Sequence, residues 1–179
     1  MKLFAFLSIF TISFLNFSPN SGPDPLSEGL IAHYSFNNCD AKDDTGNGSD
    51  GIIFGRPSCR CGVDEDAIWL DGFRDYIEFH GSVNNYFTTS DFTISFYFKP
   101  AKYNVFKQSM LSKRDTCNEN FMFDIQLDIN HNLVDTDVHE SPEKDYPEIS
   151  PQIDSTIWQH FALVREGIRA TTYINGTPR

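Results

Sequence analysis

The sequence predicts an all-β protein: a two-sheet antiparallel β-sandwich of jelly-roll type, carried behind an N-terminal signal segment. Three observations lead there. In the clearest segments apolar residues recur at every second position, which is the period of a strand with one buried face. Aromatics make up 15% of the 179 residues, Phe alone contributing 17, and bulky rings suit a pleated surface better than a helix. Turn signals at Gly46-Asn47-Gly48, Asp71-Gly72, Lys99-Pro100, Glu166-Gly167 and Asn175-Gly176 punctuate the chain, and many short strands joined in this way read as a sandwich or jelly roll.

Taken in chain order, the first 18 residues read as a signal peptide. Lys2 precedes an apolar run that ends near Phe17, shorter than the ~20 residues of a membrane-spanning helix. An uncleaved N-terminal anchor is the alternative, since no A-x-A cleavage pattern occurs and Pro19 follows Ser18. Residues 19–25 hold Pro19, Pro23 and Pro25 and form a linker. The folded domain is expected over 26–179, with no transmembrane segment after the signal. The chain carries 14 Lys+Arg against 25 Asp+Glu, a net charge of −11, and its longest basic run is Lys113-Arg114. Binding to phosphate backbones needs clustered cations, so a nucleic-acid partner is excluded.

Within the domain, Phe92, Ile94, Phe96 and Phe98 share one strand face, with Thr93, Ser95, Tyr97 and Lys99 on the other. Phe121, Phe123, Ile125, Leu127 and Ile129 alternate with Asp124, Gln126 and Asp128 in the same way. The β-rich runs 158–164 and 170–174 flank the Glu166-Gly167 turn. An Asn-Gly pair after a strand ordinarily opens a type I′ hairpin. Asn175-Gly176 lies three residues from the last residue, Arg179, so the returning strand is expected to be missing and the domain incomplete.

In an exported chain the four cysteines, Cys39, Cys59, Cys61 and Cys117, read as two disulfides, with three connectivities possible. Cys59 and Cys61 are too close along the chain to bridge each other; the expected pairing is Cys39 with Cys59 and Cys61 with Cys117. Zinc is the rival, but the spacing of Cys59 and Cys61 does not match a ribbon or finger.

Several segments invite a chemical reading. Gly46, Gly48 and Gly51 satisfy G-x-G-x-x-G, yet an acidic loop precedes them and a strand follows, whereas a dinucleotide site needs a strand before and a helix after. The same loop carries Asp40, Asp43, Asp44, Asn47 and Asp50, hard oxygen groups on a tight turn, as a structural calcium ion would use. Asp43 and Asn47 are the expected ligands; a turn held by side-chain hydrogen bonds is the competing account. Phe54 stands where an EF-hand needs its bidentate Glu, so an EF-hand is excluded.

A glycosidase needs two carboxylates placed as acid and nucleophile. Asp124 and Asp128 share a strand face but read as its solvated side, and Glu140, Glu143, Asp145 and Glu148, interrupted by Pro142 and Pro147, read as a loop. His33, His80, His131, His139 and His160 show no short metal spacing, and no G-x-S-x-G occurs. Tyr76, Tyr97 and Tyr146 could stack on sugar rings, although single surface aromatics are ordinary. Asn47 and Asn175 fit the glycosylation sequon, which matters only in a eukaryotic secretory host.

Five segments in order, Leu30–Asn38, Asp43–Gly51, Leu70–Ile77, Phe92–Pro100 and Trp158–Arg165 with Tyr173–Gly176, resemble the LamG-like jelly rolls of the concanavalin A-like lectin/glucanase fold. The cysteine pattern resembles a disulfide-bearing subset of that family. The resemblance implies two packed antiparallel sheets and a non-catalytic recognition or adhesion module, secreted or at the cell surface, with an extracellular glycan or surface protein as partner. The alternative is a carbohydrate-binding accessory domain of an extracellular enzyme. Because one fold hosts many functions, the choice rests on the site.

Overall fold

Residues that alternate in sequence build the ladders of the protein, seen here in a computed structural model that describes residues 27–87, 91–101, 107–115, 118–141 and 144–178. The expected signal peptide, 1–18, and linker, 19–25, lie outside the described residues. The chain divides into Met1–Leu30 and Ile31–Arg179. Of the first unit, residues 27–30 are described, as a turn in which Leu30 N donates to Ser27 O at 3.4 Å. Among the described residues no helix is long and apolar enough to cross a membrane.

Among the described residues the second unit holds twelve strands: β1 (Gly51–Phe54), β2 (Ser58–Cys61), β3 (Asp66–Trp69), β4 (Tyr76–Phe79), β5 (Phe92–Phe98), β6 (Lys107–Asp115), β7 (Asn118–Asp128), β8 (Leu133–Ser141), β9 (Lys144–Ile149), β10 (Gln159–Glu166), β11 (Arg169–Ile174) and β12 (Thr177–Pro178). Two four-stranded antiparallel sheets, ordered β12-β11-β10-β5 and β6-β7-β8-β9, are accompanied by two-stranded ladders β1-β4 and β2-β3. Only two short 3-10 turns, Asn37–Cys39 and Gly81–Asn85, interrupt this pattern among the described residues. The all-β sandwich that the sequence predicts is therefore the fold observed.

Alternation decides which face each sheet buries. Phe123, Ile125, Leu127 and Ile129 from β7 and the turn after it, with Val134 of β8, meet Phe161 and Leu163 of β10 and Ile174 of β11 in one buried cluster. Phe92, Ile94, Phe96 and Phe98 of β5 pack against it, half-buried, while Thr93, Ser95 and Tyr97 are exposed. Each fully buried large apolar side chain contributes about 1.5–3 kcal/mol relative to exposure, so this cluster is what holds the two sheets face to face.

Two expectations need correction. The segment from Glu140 to Glu148, read as a loop, is strand where it is described: Glu140 lies in β8, and Asp145 and Glu148 lie in β9. Glu143 lies outside the described residues. Pro147 pairs opposite Asp137, and it is tolerated because β9 is the outermost strand of its sheet, where a missing backbone donor breaks no ladder. The returning strand after Asn175-Gly176 is not wholly missing either. Thr177 pairs with Ile174 and Pro178 with Tyr173, and Asn175 and Gly176 adopt φ of 50° and 76°, the positive pair that a type I′ hairpin requires.

Candidate functional site

The loop of residues 43–50 is held by its own side chains. Asp43 is buried. Its Oδ1 accepts from His33 N at 3.2 Å, Thr45 N at 3.1 Å and Thr45 Oγ1 at 2.6 Å, and its Oδ2 accepts from Ser49 N at 3.2 Å. Burial pushes the Asp43 carboxyl up, but the hydrogen bonds from Thr45, His33 and Ser49 outweigh it and hold the group below its ordinary range. The Tyr34 hydroxyl donates to Ser49 O at 2.6 Å; burial first, then the charges of Asp43 and Asp50, push its pKa up to about 12. Asn47 is exposed, and its Nδ2 donates to Ile31 O at 3.0 Å. The G-x-G-x-x-G segment runs straight into β1 rather than a helix.

The hydrogen bonds of this loop are those of the competing account, a turn held by its own side chains. Four protein donors already share the two oxygens of Asp43, and Asn47 is tied through its amide nitrogen to a backbone carbonyl. Among the described residues the group of ligand-type side chains lying within 4.8 Å of one another is Cys39, Cys59 and Asp66, and its two sulfurs are bonded to each other. The melting temperature is expected to be the same with calcium or with chelator, whereas Asp43→Ala should lose about 1–3 kcal/mol by stranding buried donors. A rise in melting temperature on adding calcium would overturn this account.

Cys39 and Cys59 form the expected bridge, with Cα atoms 5.5 Å apart. It ties β2 to a turn in which Phe36, Asn38 and Cys39 all take left-handed φ, 60°, 59° and 55°. Asp66 secures the same turn: its Oδ2 accepts from Asn38 N at 3.1 Å, and its own N–H donates to Asn37 Oδ1 at 3.1 Å. Cys61 is exposed and has no bridge among the described residues. Its expected partner, Cys117, lies outside the described residues.

The outward face of the β6–β9 sheet is built from side chains that hold one another. Asp124 alternates with the core residues Phe123 and Ile125, yet it is only 2% exposed, which corrects its reading as a solvated group. Ser109 Oγ donates to its Oδ1 at 2.7 Å and Gln126 Nε2 to its Oδ2 at 2.7 Å. The Lys107 ammonium donates to the carboxylate of Asp135, a contact that raises the lysine pKa, with the charges of Asp137 and Asp128 adding to it. Asp128 closes the turn after β7, accepting at Oδ1 from Asn130 N and His131 N at 3.0 and 3.1 Å. Its Oδ2 lies 2.8 Å from His131 Nδ1, and that hydrogen bond chiefly holds the carboxyl below its ordinary range.

Asp124 and Asp128 do share a face, as the alternation predicts, and each is bonded to local partners. Lys107, Ser109, Asp135 and Asp137 escape a reading of the sequence because their strands were not recognised. The alternation of Val134 and Val138 with Asp135 and Asp137 was the available signal.

The described histidine side chains are spread over separate elements. His33 lies 3.4 Å from Asp44 and His80 3.5 Å from Glu78. The ring of His160 rests against Tyr97 at 4.8 Å between centroids, with its Nε2 2.7 Å from Ser95 Oγ. Tyr76 and Tyr97 are exposed; the side chain of Tyr146 is not among those described. A depression of about 250 Å³ beside the Asn175 hairpin is lined by Ile153, Ile157 and Ile174, with Asp154 at its edge. Asp154 Oδ1 accepts from Thr156 N and Oγ1 at 2.8 and 2.6 Å.

Two antiparallel sheets closed over an aromatic core, with a polar network paving the outer face of one, define a lectin-like jelly roll. The chain belongs to the concanavalin A-like lectin/glucanases superfamily, whose Laminin_G_3 family model matches residues 71–179. Among solved structures it is similar to domain 4 of AbnA, a GH43 extracellular arabinanase from Geobacillus stearothermophilus, in complex with arabinotriose. That likeness has 24% identity and a TM-score of 0.64 and covers 83% of this chain and 72% of that one. It is also similar to the binding domain of Paraclostridial Mosquitocidal Protein 1, with 21% identity and a TM-score of 0.62, over 76% of this chain and 36% of that one. This chain thus spans about a third of the second structure. No curated protein matches the chain.

Proposed function

We propose that the protein is a non-catalytic extracellular recognition module that binds a neutral glycan on the outward face of the β6–β9 sheet. One observation carries this reading: Ser109 and Gln126, both bonded to the buried Asp124, and beside them Lys107 and Asp135, are fixed by hydrogen bonds on a face that alternation turns away from the core. Side chains already ordered lose little freedom when they exchange partners with sugar hydroxyls. A net charge of −11 favours a neutral ligand over polyuronates or sulfated chains, which it would repel. Membership of a lectin/glucanase superfamily and a fold shared with binding domains support recognition over hydrolysis. The commitment of Asp124 and Asp128 to local partners agrees with this. The Cys39–Cys59 bridge supports an oxidising, extracellular setting.

The likeness to a domain of an arabinanase supports the accessory-domain reading, and it makes arabinan the first polysaccharide to try. Incubation with arabinan, xylan, cellulose and polygalacturonate should retain the protein on at least one neutral polymer and release no reducing ends. Gln126→Ala combined with Asp135→Ala should weaken retention tenfold or more. Binding to polygalacturonate alone, or reducing-end release that persists after repurification, would sink the proposal.

A further inference from the structure

We propose that the outward face of the β1–β4 ladder is a second saccharide subsite, in which one sugar ring packs on the stacked pair Phe54 and Tyr76. The inference rests on the glycan-recognition reading above but uses different strands. Phe54 pairs directly with Tyr76 and Ile52 with Glu78, so these four side chains form the corners of one small patch. The two rings lie 4.6 Å apart at an interplanar angle of 7°. Ile52, Phe54 and Tyr76 nonetheless remain 49%, 36% and 52% exposed. Contiguous exposed apolar groups rimmed by polar ones mark binding sites more often than scattered single ones do.

The ring pair is clamped from the backbone. Asp75, next to Tyr76, accepts at Oδ1 from Arg56 N at 2.8 Å. Gly55, next to Phe54, has a φ of +90°, and a Cβ there would fall 2.1 Å from Asp75 Oδ1. The chain on either side of the rings is therefore held together by the Asp75 carboxylate, at a place where only glycine fits position 55. Upstream, Asp71 Oδ1 accepts from the amides of Phe73, Arg74 and Asp75 at 2.8, 2.8 and 2.9 Å, which fixes the approach to β4. The exposed rings are thus positioned in advance.

Size and chemistry choose the occupant. Cross-strand neighbours lie ~5 Å apart and same-face neighbours along a strand ~7 Å apart, so the patch matches one sugar ring. A stable protein interface needs roughly 800 Å² from each partner, far more than four side chains supply. The C–H face of a pyranose or furanose packs on an aromatic ring by dispersion and burial. The Tyr76 hydroxyl and the Glu78 carboxylate, which is 55% exposed, offer hydrogen bonds to its hydroxyls. Glu78 and the acidic balance of the chain oppose phosphate-bearing ligands and anionic lipid surfaces.

The test is calorimetric titration of the intact protein with arabinotriose, xylotriose and cellotriose, comparing wild type with Tyr76→Ala, Tyr76→Phe and Gln126→Ala. Two trisaccharides per wild-type chain are expected for the trisaccharide that binds, falling to one in Tyr76→Ala; Tyr76→Phe, which keeps the ring, should retain both with no more than a few-fold weakening. One site in the wild type that is lost in Tyr76→Ala and kept in Gln126→Ala also supports the subsite, while refuting the polar face. Wild-type binding unchanged in Tyr76→Ala, with native circular dichroism, overturns the subsite and leaves the recognition reading standing. No binding of any trisaccharide or of the neutral polysaccharides above overturns the recognition reading itself.

Discussion

Phe161→Ala is expected to destabilise the protein by about 3–5 kcal/mol, the range for removing a fully buried phenylalanine. Phe161 is 0% exposed, pairs with Ile174 on one side and Phe96 on the other, and has its ring 5.2 Å from that of Phe96. Truncation leaves a hole that strands on both sides resist filling, because their ladders fix the backbone spacing. Denaturant unfolding should show the midpoint falling with an unchanged slope. Val164→Ala, on the outer face of the same strand, should lose far less. Equal losses at the two positions would show that the buried cluster is not what joins the sheets.

Removing the Cys39–Cys59 bridge should have the next largest effect, about 3 kcal/mol on the loop-closure account, given a sequence separation of 20 residues. The native turn adds its own strain, since Phe36, Asn38 and Cys39 hold left-handed φ that each residue leaves readily once untethered. The hydrogen bonds to and from Asp66 would then oppose release. Thermal melts of the wild type with and without reductant, beside the Cys39→Ser/Cys59→Ser double variant, check this. The reduced wild type and the variant should melt together, well below the oxidised protein, and the variant should ignore reductant. An oxidised protein no more stable than the variant would sink the expectation.

The sandwich was legible where one face of a strand is apolar and the other polar. β5 is the clearest instance, with four apolar side chains at period two, and β7 behaves likewise, its ladder with β8 running without a register shift. The turn pairs at Glu166-Gly167 and Asn175-Gly176 also marked their hairpins, since positive φ at a fixed place leaves few residue choices. β9 was hidden because Pro147 argues against a strand unless the strand is known to lie at an edge, and edge position is a property of the sheet, not of the segment. Asp124 was misjudged for a related reason. Alternation places it on the outward face, but only the neighbouring strands supply Ser109 and close around it. Asp43 and Asn47 carry the right atoms for a cation, and no local pattern shows that Asp43 accepts instead from the amides of His33, Thr45 and Ser49 and from the Thr45 hydroxyl. The pairing of Phe54 with Tyr76 depends on register between strands separated by a disulfide-bearing ladder, which no local pattern encodes.

The hairpin at Asn175-Gly176 bears on how a preparation ages. Asparagine followed by glycine is the dipeptide most prone to deamidation, because the small next residue lets its nitrogen reach the side-chain carbonyl carbon and close a succinimide. Here the Asn175 side chain is turned the other way: its Oδ1 accepts from His160 N at 2.9 Å and its Nδ2 donates to Gln159 Oε1 at 2.7 Å. Asn47-Gly48 has the same vulnerable pairing, but its side chain is anchored by a single hydrogen bond, to Ile31 O. Isoaspartate will therefore accumulate first in the acidic loop, and the strand-closing turn will outlast it on the shelf.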